Sequence, residues 1–386
     1  MQPQVSGTNQ THLRRALELA KGGRGRVSPN PLVGAVVVRE GEVIGEGYHA
    51  ELGGLHAERA ALEDCGSRSE DPAGATMYVT LEPCAHEGRQ PPCVEAIIEA
   101  GISRVVIASE DPSEKASGRG PGILRDGGVD VTFATGAEAT AARRLNLPFR
   151  KHARTGLPFV VLKMAMSLDG QITTAPGDSP WISGAESREL VHRWRSESDA
   201  IAVGIGTVLA DDPLLTARID GARQPLRVVF DSQARLPLDS QLLQTLDQAP
   251  VLLVTAPDAP ADRVAALQNA GVETLVATDL ESPLRELGRR DLTSLFLEGG
   301  RTLASAFVQA GQIDESRTFI APMLLGETTQ DQGLRRAGLV PEVGSSSSQA
   351  AGEDPTPAPP ARETGLESIV KQVGQDTLIR VRFKEW

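Results

Sequence analysis

Apolar positions in the first part of the chain switch between a helical and a strand period. In residues 9–23, Leu13, Ala16, Leu17 and Ala20 form one stripe, predicting a helix capped by Thr11 and ended by Gly22 and Gly23. "PLVGAVVVREGEVIGEGYH" at 31–49 predicts two strands joined by a tight turn at Glu40-Gly41. "HAERAALEDCG" (56–66) and "CVEAIIEAGI" (93–102) predict helices, whereas "ATMYVTLEP" (75–83) and "SRVVIASEDP" (103–112) predict strands. Strands alternating with helices imply an α/β layer structure. The basic, Pro- and Gly-punctuated stretch "LNLPFRKHARTGLP" (145–158) is expected to be a hinge, dividing a domain at 1–150 from one at 151–386.

A second α/β series begins with "FVVLKMAMSLDGQIT" at 159. It continues through "SDAIAVGIGTVLADDP", "PLRVVFDSQ", "PVLLVTAP" and "TSLFLEGG", mostly strands ending at Gly, Asp or Pro. "RTLASAFVQAG" is a predicted helix after a Gly-Gly turn, and "DESRTFIAPMLLG" a further strand. From 327 to 363 the composition becomes Ser-, Pro- and Ala-rich with few apolar side chains, and a mobile insertion is expected. "TLIRVRFKEW" predicts a last strand rejoining the sheet, and no internal repeat is visible.

Bulk composition narrows the function classes. With 386 residues, two or three domains are the default expectation, and 40% hydrophobic and 23% charged content is ordinary for a globular enzyme. The formal charge of −12 disfavours polyanion binding, so no nucleic-acid partner is expected, while a small phosphorylated substrate needs only a few Arg and Lys side chains. No apolar run reaches the ~18 residues of a membrane span. The N-terminal stretch shows no secretory pattern, and three cysteines make no disulfide framework, so a cytoplasmic location with reduced thiols is expected.

Two of those cysteines carry the candidate chemistry. His56, Cys84 and Cys93 offer one imidazole and two thiolates, the three protein ligands of a catalytic zinc with an open fourth position. Both thiols stand at or near predicted helix starts, where unpaired N–H groups favour thiolate. Zinc makes a nucleophile from water near neutral pH. Glu58, two residues after His56, can take the proton and pass it to a ring nitrogen and the departing ammonia. Zinc nucleobase deaminases share a His-x-Glu followed by Pro-Cys-x-x-Cys. Here eight residues, "AHEGRQPP", separate Cys84 from Cys93. A structural zinc would need a fourth ligand from Cys65 or His86.

Taken together, "NPLVGAVVV", "GEGYH", "HAE", "TLEPCAHEGRQPPC", "DP…GRG", "LKMAMSLDGQI", "WIS", "GTVLADDPLLTAR" and "LEGGRTLASAF" resemble the bifunctional riboflavin-biosynthesis deaminase–reductases from about residue 11 to 325. The resemblance implies a cytidine-deaminase-like three-layer domain followed by a dihydrofolate-reductase-like domain. It implies zinc and NADPH as cofactors, a small phosphorylated pyrimidine as substrate, and a homo-oligomer. Two reactions follow from it: replacement of a ring amino group by oxygen, then opening of the ribosyl ring to a ribityl chain. His56, Cys84 and Cys93 match the family's zinc ligands and Glu58 its proton shuttle. Ala165, Trp181, Thr207, Asp211, Ser232 and the stretch Gly300, Arg301, Thr302, Leu303, Ala304, Ser305 and Ala306 match NADPH contacts. Ser179, Arg195, Leu215, Arg218 and Glu298 match substrate contacts.

Independent reasons stand beside some of these. "LEGGRTLASAF" is a strand, a Gly-Gly turn and a helix start, where backbone N–H groups can approach a pyrophosphate. Arg195 and Arg218 could grip a phosphate, and Lys163 could meet charge inside the site. The family's Asp-Pro-Asn-Pro is here Asp111-Pro112-Ser113-Glu114, which puts a shorter hydroxyl and an added negative charge near the deaminase substrate. A tRNA- or nucleoside-acting deaminase would predict the short Cys-x-x-Cys spacing. A zinc-stabilised binding protein would predict four ligands and no NADPH.

Overall fold

A computed structural model describes residues 7–87, 90–114, 116, 118–172, 181–326 and 365–386. Both Ser179 and the whole of the predicted insertion at 327–363 lie outside the described residues. The chain divides into two compact units: Met1–Phe159 with Leu284–Ser294 and Trp386, and Val160–Pro283 with Leu295–Glu385.

The first unit contains α1 (Gly7–Ala20), β1 (Gly34–Arg39), β2 (Glu42–Tyr48), α2 (Ala57–Ser67), β3 (Thr76–Val79), α3 (Cys93–Glu99), β4 (Arg104–Ile107), α4 (Arg119–Asp126), β5 (Asp130–Phe133), α5 (Ala137–Leu145) and α6 (Leu147–Thr155). Its sheet runs β2-β1-β3-β4-β5. β1 is antiparallel to β2 and β3, and β3, β4 and β5 are parallel. Glu40 (φ 54°) and Gly41 (φ 90°) are both left-handed, the backbone of a two-residue hairpin whose twist matches its strands.

β1 explains the layers. Ala35 and Val37 pack with Ala57, Ala61, Val94, Ile97 and Leu124 of α2, α3 and α4 on one face. Val36 and Val38 pack with Leu13, Ala16, Leu17 and Ala142 of α1 and α5 on the other. Each successive side chain thus enters a different core, as a pleated strand requires.

α1 starts earlier than its sequence suggests, and Thr11 is inside it rather than capping it. The extra turn has a tertiary anchor, because the Tyr78 hydroxyl donates to Asn9 Oδ1 (2.7 Å). Residues 145–158 are likewise no loose hinge, since α6 occupies most of them. Arg150 and Lys151, which made the stretch look surface-like, are buried. Arg150 is satisfied by Ser109 Oγ, Glu110 and the Trp386 carbonyl.

Close approach of β2 to α2 depends on glycine. A Cβ at Gly47 would strike the backbone of Ala61 and lie 2.6 Å from the Ala57 carbonyl. Gly47→Ala is therefore expected to cost about 1–3 kcal/mol through overpacking. It should also displace the start of α2 and depress deamination, with reduction unchanged. Thermal unfolding together with separate assays of the two activities checks this.

The second unit begins with β6 (Phe159–Ser167) and continues with α7 (Ala185–Glu197), β7 (Ala200–Gly204), α8 (Ile205–Asp211), β8 (Leu226–Phe230), α9 (Gln241–Gln244), β9 (Val251–Thr255), α10 (Ala261–Asn269) and β10 (Glu273–Val276). Past α11 (Glu281–Arg289), most of which belongs to the first unit, the second unit resumes with β11 (Ser294–Leu297), α12 (Arg301–Gln309), β12 (Glu315–Ala321), β13 (Glu367–Val373) and β14 (Asp376–Arg382). The sheet order is β10-β9-β8-β7-β11-β6-β12-β14-β13. β7 and β9 are buried along nearly their whole length, as parallel strands covered on both faces must be. The last predicted strand is one arm of a hairpin, β13–β14, which pairs with β12.

Candidate active sites

In the first unit, the sheet and two helix starts converge on one group of donors. His56 is the N-cap of α2 with extended backbone (φ −71°, ψ 158°). Cys93 is the first residue of α3, and Cys84 follows β3 in the next loop. His56 Nδ1 lies 3.5 Å from Cys84 Sγ and 3.4 Å from Cys93 Sγ. All three donor atoms are within 4.8 Å of one another. Tetrahedral zinc with ligand bonds of about 2.1 and 2.3 Å separates a nitrogen and a sulfur donor by about 3.6 Å. The donor set fits zinc in both chemistry and spacing. Among the described residues, no fourth His, Cys, Asp or Glu joins this group. Cys65 is instead fully buried in the apolar core.

The electrostatics agree with a metal centre. The Cys84 thiol is pulled down to about 4, foremost by a hydrogen bond from Cys93 and, against burial, by His56. Its sulfur also accepts the Cys93 backbone N–H (3.3 Å). Cys93 is pushed above the ordinary thiol range, because Cys84 holds its proton and burial adds to the effect. Cys84 is thus the more acidic of the two thiols, and a cation can neutralise the charge it carries. The eight-residue loop between them is held at its far end by Arg59, which donates to the carbonyls of Pro91 (3.3 Å) and Pro92 (3.1 Å).

Glu58 is 3% exposed in the first turn of α2. Burial, and then the negative charge of Cys84, raise its carboxyl to about 7. A carboxyl poised there can both take and return a proton at neutral pH.

Several neighbours carry no sequence motif. His49 is buried with its ring edge-on to His56 at 5.3 Å. Its Nδ1–H donates to the Leu55 carbonyl (2.9 Å), which leaves Nε2 to accept from Asn30 Nδ2 (3.1 Å). Burial lowers its pKa, so this ring is neutral. Glu82, also buried, accepts the Asp111 N–H (3.5 Å), linking the loop after β4 to the strand end that carries Cys84. Within that loop the Ser113 hydroxyl accepts the Ala116 N–H (3.4 Å), and the Ser113 N–H donates to Asp111 Oδ1 (2.8 Å).

In the second unit, β7 and β11 are parallel neighbours. From β7 the chain passes through α8 to β8 on one side. From β11 it passes through α12 to β12 on the other, beyond β6. The connections of two adjacent strands therefore leave in opposite directions. Ligands of open α/β sheets bind in the crevice at such a switch point, outside the strand ends.

Small residues keep this crevice open. Gly204 and Gly300 are the N-caps of α8 and α12. A Cβ on Gly299 would come within 3.2 Å of Leu303, and one on Gly300 within 3.8 Å of Thr207 Oγ1. This cradle of backbone N–H groups beside a helix start fits a dinucleotide pyrophosphate. Thr207 and the α12 start from Gly300 to Leu303 are thus brought together. Ala304 is buried and faces inward, while Ser305 is exposed and Ala306 half-buried. Asp211 ends α8 and Ser232 follows β8, both exposed, whereas Ala165 lies half-buried on β6. Trp181 precedes α7 and is 54% exposed.

A charged group lies in the same unit. Arg195 of α7 donates to both Glu298 oxygens (2.6 and 3.0 Å) and to the Thr216 carbonyl (3.1 Å). Glu298 directly follows β11, and its N–H donates to Ala202 of β7. Burial raises the Glu298 carboxyl, but Arg195 and Lys163 outweigh it and hold the group below the usual range. Lys163 is lowered by burial foremost, with Glu298 opposing. His192, one turn before Arg195, belongs to this group but escapes motif reading. Burial and then the Arg195 and Arg218 charges lower its pKa.

The loop after α8 is strained. Asp212 (φ 37°), Leu215 (φ 55°) and Arg218 (φ 53°) are all left-handed without being glycine, a concentration that marks functional loops. Leu215 is 2% exposed, so its side chain belongs to the core and only its backbone is available to a ligand.

Fold and site together define a zinc-dependent deaminase joined to a reductase. Residues 6–109 match the cytidine and deoxycytidylate deaminase zinc-binding region, and residues 158–355 match the RibD C-terminal domain. The riboflavin biosynthesis protein RibD of Actinobacillus pleuropneumoniae is 43% identical over 325 residues, covering 83% of this chain and 85% of its own. The same protein of Escherichia coli (strain K12) is 40% identical over 328 residues, covering 82% and 88%. The solved diaminohydroxyphosphoribosylaminopyrimidine deaminase/5-amino-6-(5-phosphoribosylamino)uracil reductase of Thermotoga maritima superposes with a TM-score of 0.80 at 35% identity, covering 98% of this chain and 99% of that one. The chain belongs to the RibD family of bifunctional riboflavin-biosynthesis enzymes. It carries a zinc-dependent deaminase and an NADPH-dependent reductase. No helix among the described residues is long and apolar enough to cross a membrane.

Proposed function

We propose that the first unit removes the ring amino group of a diaminohydroxy-phosphoribosylaminopyrimidine as ammonia, and that the second reduces the ribosyl group of the product to a ribityl chain. The observation that carries the first half is the placing of His56, Cys84 and Cys93 within 4.8 Å of one another, with buried Glu58 in the first turn of the helix that His56 opens. His56, Cys84 and Cys93 would hold zinc, which when bound would supply, by Lewis acidity, a nucleophile from water near neutral pH. Glu58 would carry one proton of the attacking water to the ring nitrogen, then move the proton of the newly added hydroxyl to the amino group, so that the C–N bond breaks, the ring carbonyl forms and ammonia leaves. Neutral His49, fixed by Asn30 and Leu55, forms a wall beside His56.

For the second half, the α12 start from Gly300 to Ala306, with Thr207, Asp211, Ser232, Ala165 and Trp181, would hold NADPH, which when bound would supply the hydride. Arg195, Glu298, Lys163, Arg218 and the backbone at Leu215 hold the substrate. Arg195 and Lys163 keep Glu298 ionised, so the acid can accept hydrogen bonds from the ribose hydroxyls while the cations face phosphate or a developing alkoxide. A homo-oligomer is expected, and sedimentation gives its mass.

Purified protein with the aminopyrimidine ribotide and NADPH tests the scheme, with ammonia and NADPH followed separately. One ammonia should appear before each NADPH is consumed. Metal chelation should stop ammonia release while NADPH oxidation on pre-deaminated substrate continues. Loss of both activities on chelation would contradict two separate sites.

A further inference from the structure

The helix α7 begins on a glycine. Gly184 is its N-cap and has no side-chain oxygen to offer the first N–H groups, a role that Ser, Thr, Asn or Asp commonly fills at helix starts. A carboxylate from the far end of the chain braces this helix start instead. Asp376, fully buried at the turn of the β13–β14 hairpin, accepts the Gly184 N–H (2.8 Å) and the Ser187 hydroxyl (2.6 Å) through Oδ2. The turn itself fits closely, because a Cβ at Gly374 (φ 55°) would meet Glu186 in the first turn of α7. One turn into the helix, Arg188 folds back. Its Nη1 donates to the Ser183 carbonyl (2.5 Å), and its guanidinium carbon stands 5.2 Å from the centroid of the Trp181 ring. Trp181 is thereby held on Arg188 while 54% of it stays exposed.

We propose that Asp376 and Arg188 are positioning residues for the cofactor side of the reductase: Asp376 sets where α7 begins, and Arg188 transmits that setting to the Trp181 ring. This rests on the reading above that Trp181 touches NADPH. A large exposed ring has too much freedom to serve a ligand unless something orders it beforehand, and the cation-π contact with Arg188 does so. Asp376 acts at one remove, through the helix.

The test compares Trp181→Phe, Arg188→Leu, Asp376→Asn and Ser187→Ala in the full-length enzyme, using pre-deaminated substrate. Arg188→Leu and Asp376→Asn should each raise the KM for NADPH about ten-fold and change kcat less than three-fold. Tryptophan-to-NADPH energy transfer should weaken in both. Ser187→Ala keeps the Gly184 bond and should raise KM only two- to three-fold, which retains a readout if Asp376→Asn folds poorly. Ammonia release should be unchanged in all four variants. An unchanged NADPH KM in Trp181→Phe means that Trp181 does not touch the cofactor, and the reading beneath the inference fails. A raised KM in Trp181→Phe with normal KM and energy transfer in Arg188→Leu and Asp376→Asn overturns the inference itself. A lowered melting temperature with unchanged KM assigns Asp376 a purely structural role and also overturns it.

Discussion

Glu58→Gln is expected to lower ammonia release by about a thousand-fold, within the range of about 10²–10⁴ for a positioned acid–base group. Zinc content and NADPH oxidation on pre-deaminated substrate should not change. Glutamine preserves the size of the side chain, so the three metal donors stay where they are. What is lost is a proton carrier whose pKa burial and the Cys84 charge have brought to about 7. The metal-free protein should show the same carboxyl in its stability. A folded-state pKa above the unfolded value contributes stability that is fully present below the unfolded pKa, about 4.3, and is lost as pH rises through about 7. Metal-free Glu58→Gln should therefore unfold at a higher temperature than metal-free wild type at pH 8, and the gap should narrow toward pH 5. Melting curves across that interval measure it. A gap that widens toward acid would mean that Glu58 is not protonated more readily in the fold than out of it.

Glu298→Ala should produce the second large effect, a loss of reduction of at least a hundred-fold with deamination retained. Arg195 and Glu298 are 12% and 10% exposed and share two hydrogen bonds. Removing the acid leaves Arg195, with Lys163 nearby, short of its counter-charge. Breaking one half of a buried pair costs about 3–5 kcal/mol, so the second unit should also unfold earlier. Glu298→Gln keeps the shape without the charge and should fall between. Lys163 adds a pH signature: burial lowers its pKa below the ordinary lysine value of about 10.4. Reduction that needs the ammonium form should then decline on the alkaline side before an ordinary lysine would titrate. Lys163→Arg, which stays protonated, should remove that limb. A pH profile unchanged by Lys163→Arg would take Lys163 out of the site.

The layer class and the deaminase half were legible because their signals are local. The alternation "GAVVVR" can occupy a strand only by feeding two cores, and His56 with Glu58 is a helix start in any fold. The long gap between Cys84 and Cys93 was legible as a motif, whereas its closure needed α2, since Arg59 pins the loop. Helices α4, α7 and α11 are largely polar, the apolar residues of α5 and α10 are mostly alanine, and several strands are only four residues long, so periodicity alone did not reveal them. Residues 145–158 looked like a hinge because basic side chains ordinarily seek water. In the fold, Ser109, Glu110 and Trp386 satisfy Arg150 and allow its burial.

By itself the sequence determined the alternation of strands and helices, the metal-ligand types, the acid beside them and the glycines of the cofactor turn, because each follows from chemistry within a few neighbouring residues. Tertiary structure alone decided that His49, held by Asn30, stands beside His56, that β7 and β11 make a switch point, that Arg195 is locked on Glu298, and that Asp376 braces the start of a helix 192 residues away. Those relations depend on which distant segments share a sheet or meet a helix end, and burial energy over the whole core, rather than any local preference, selects that arrangement.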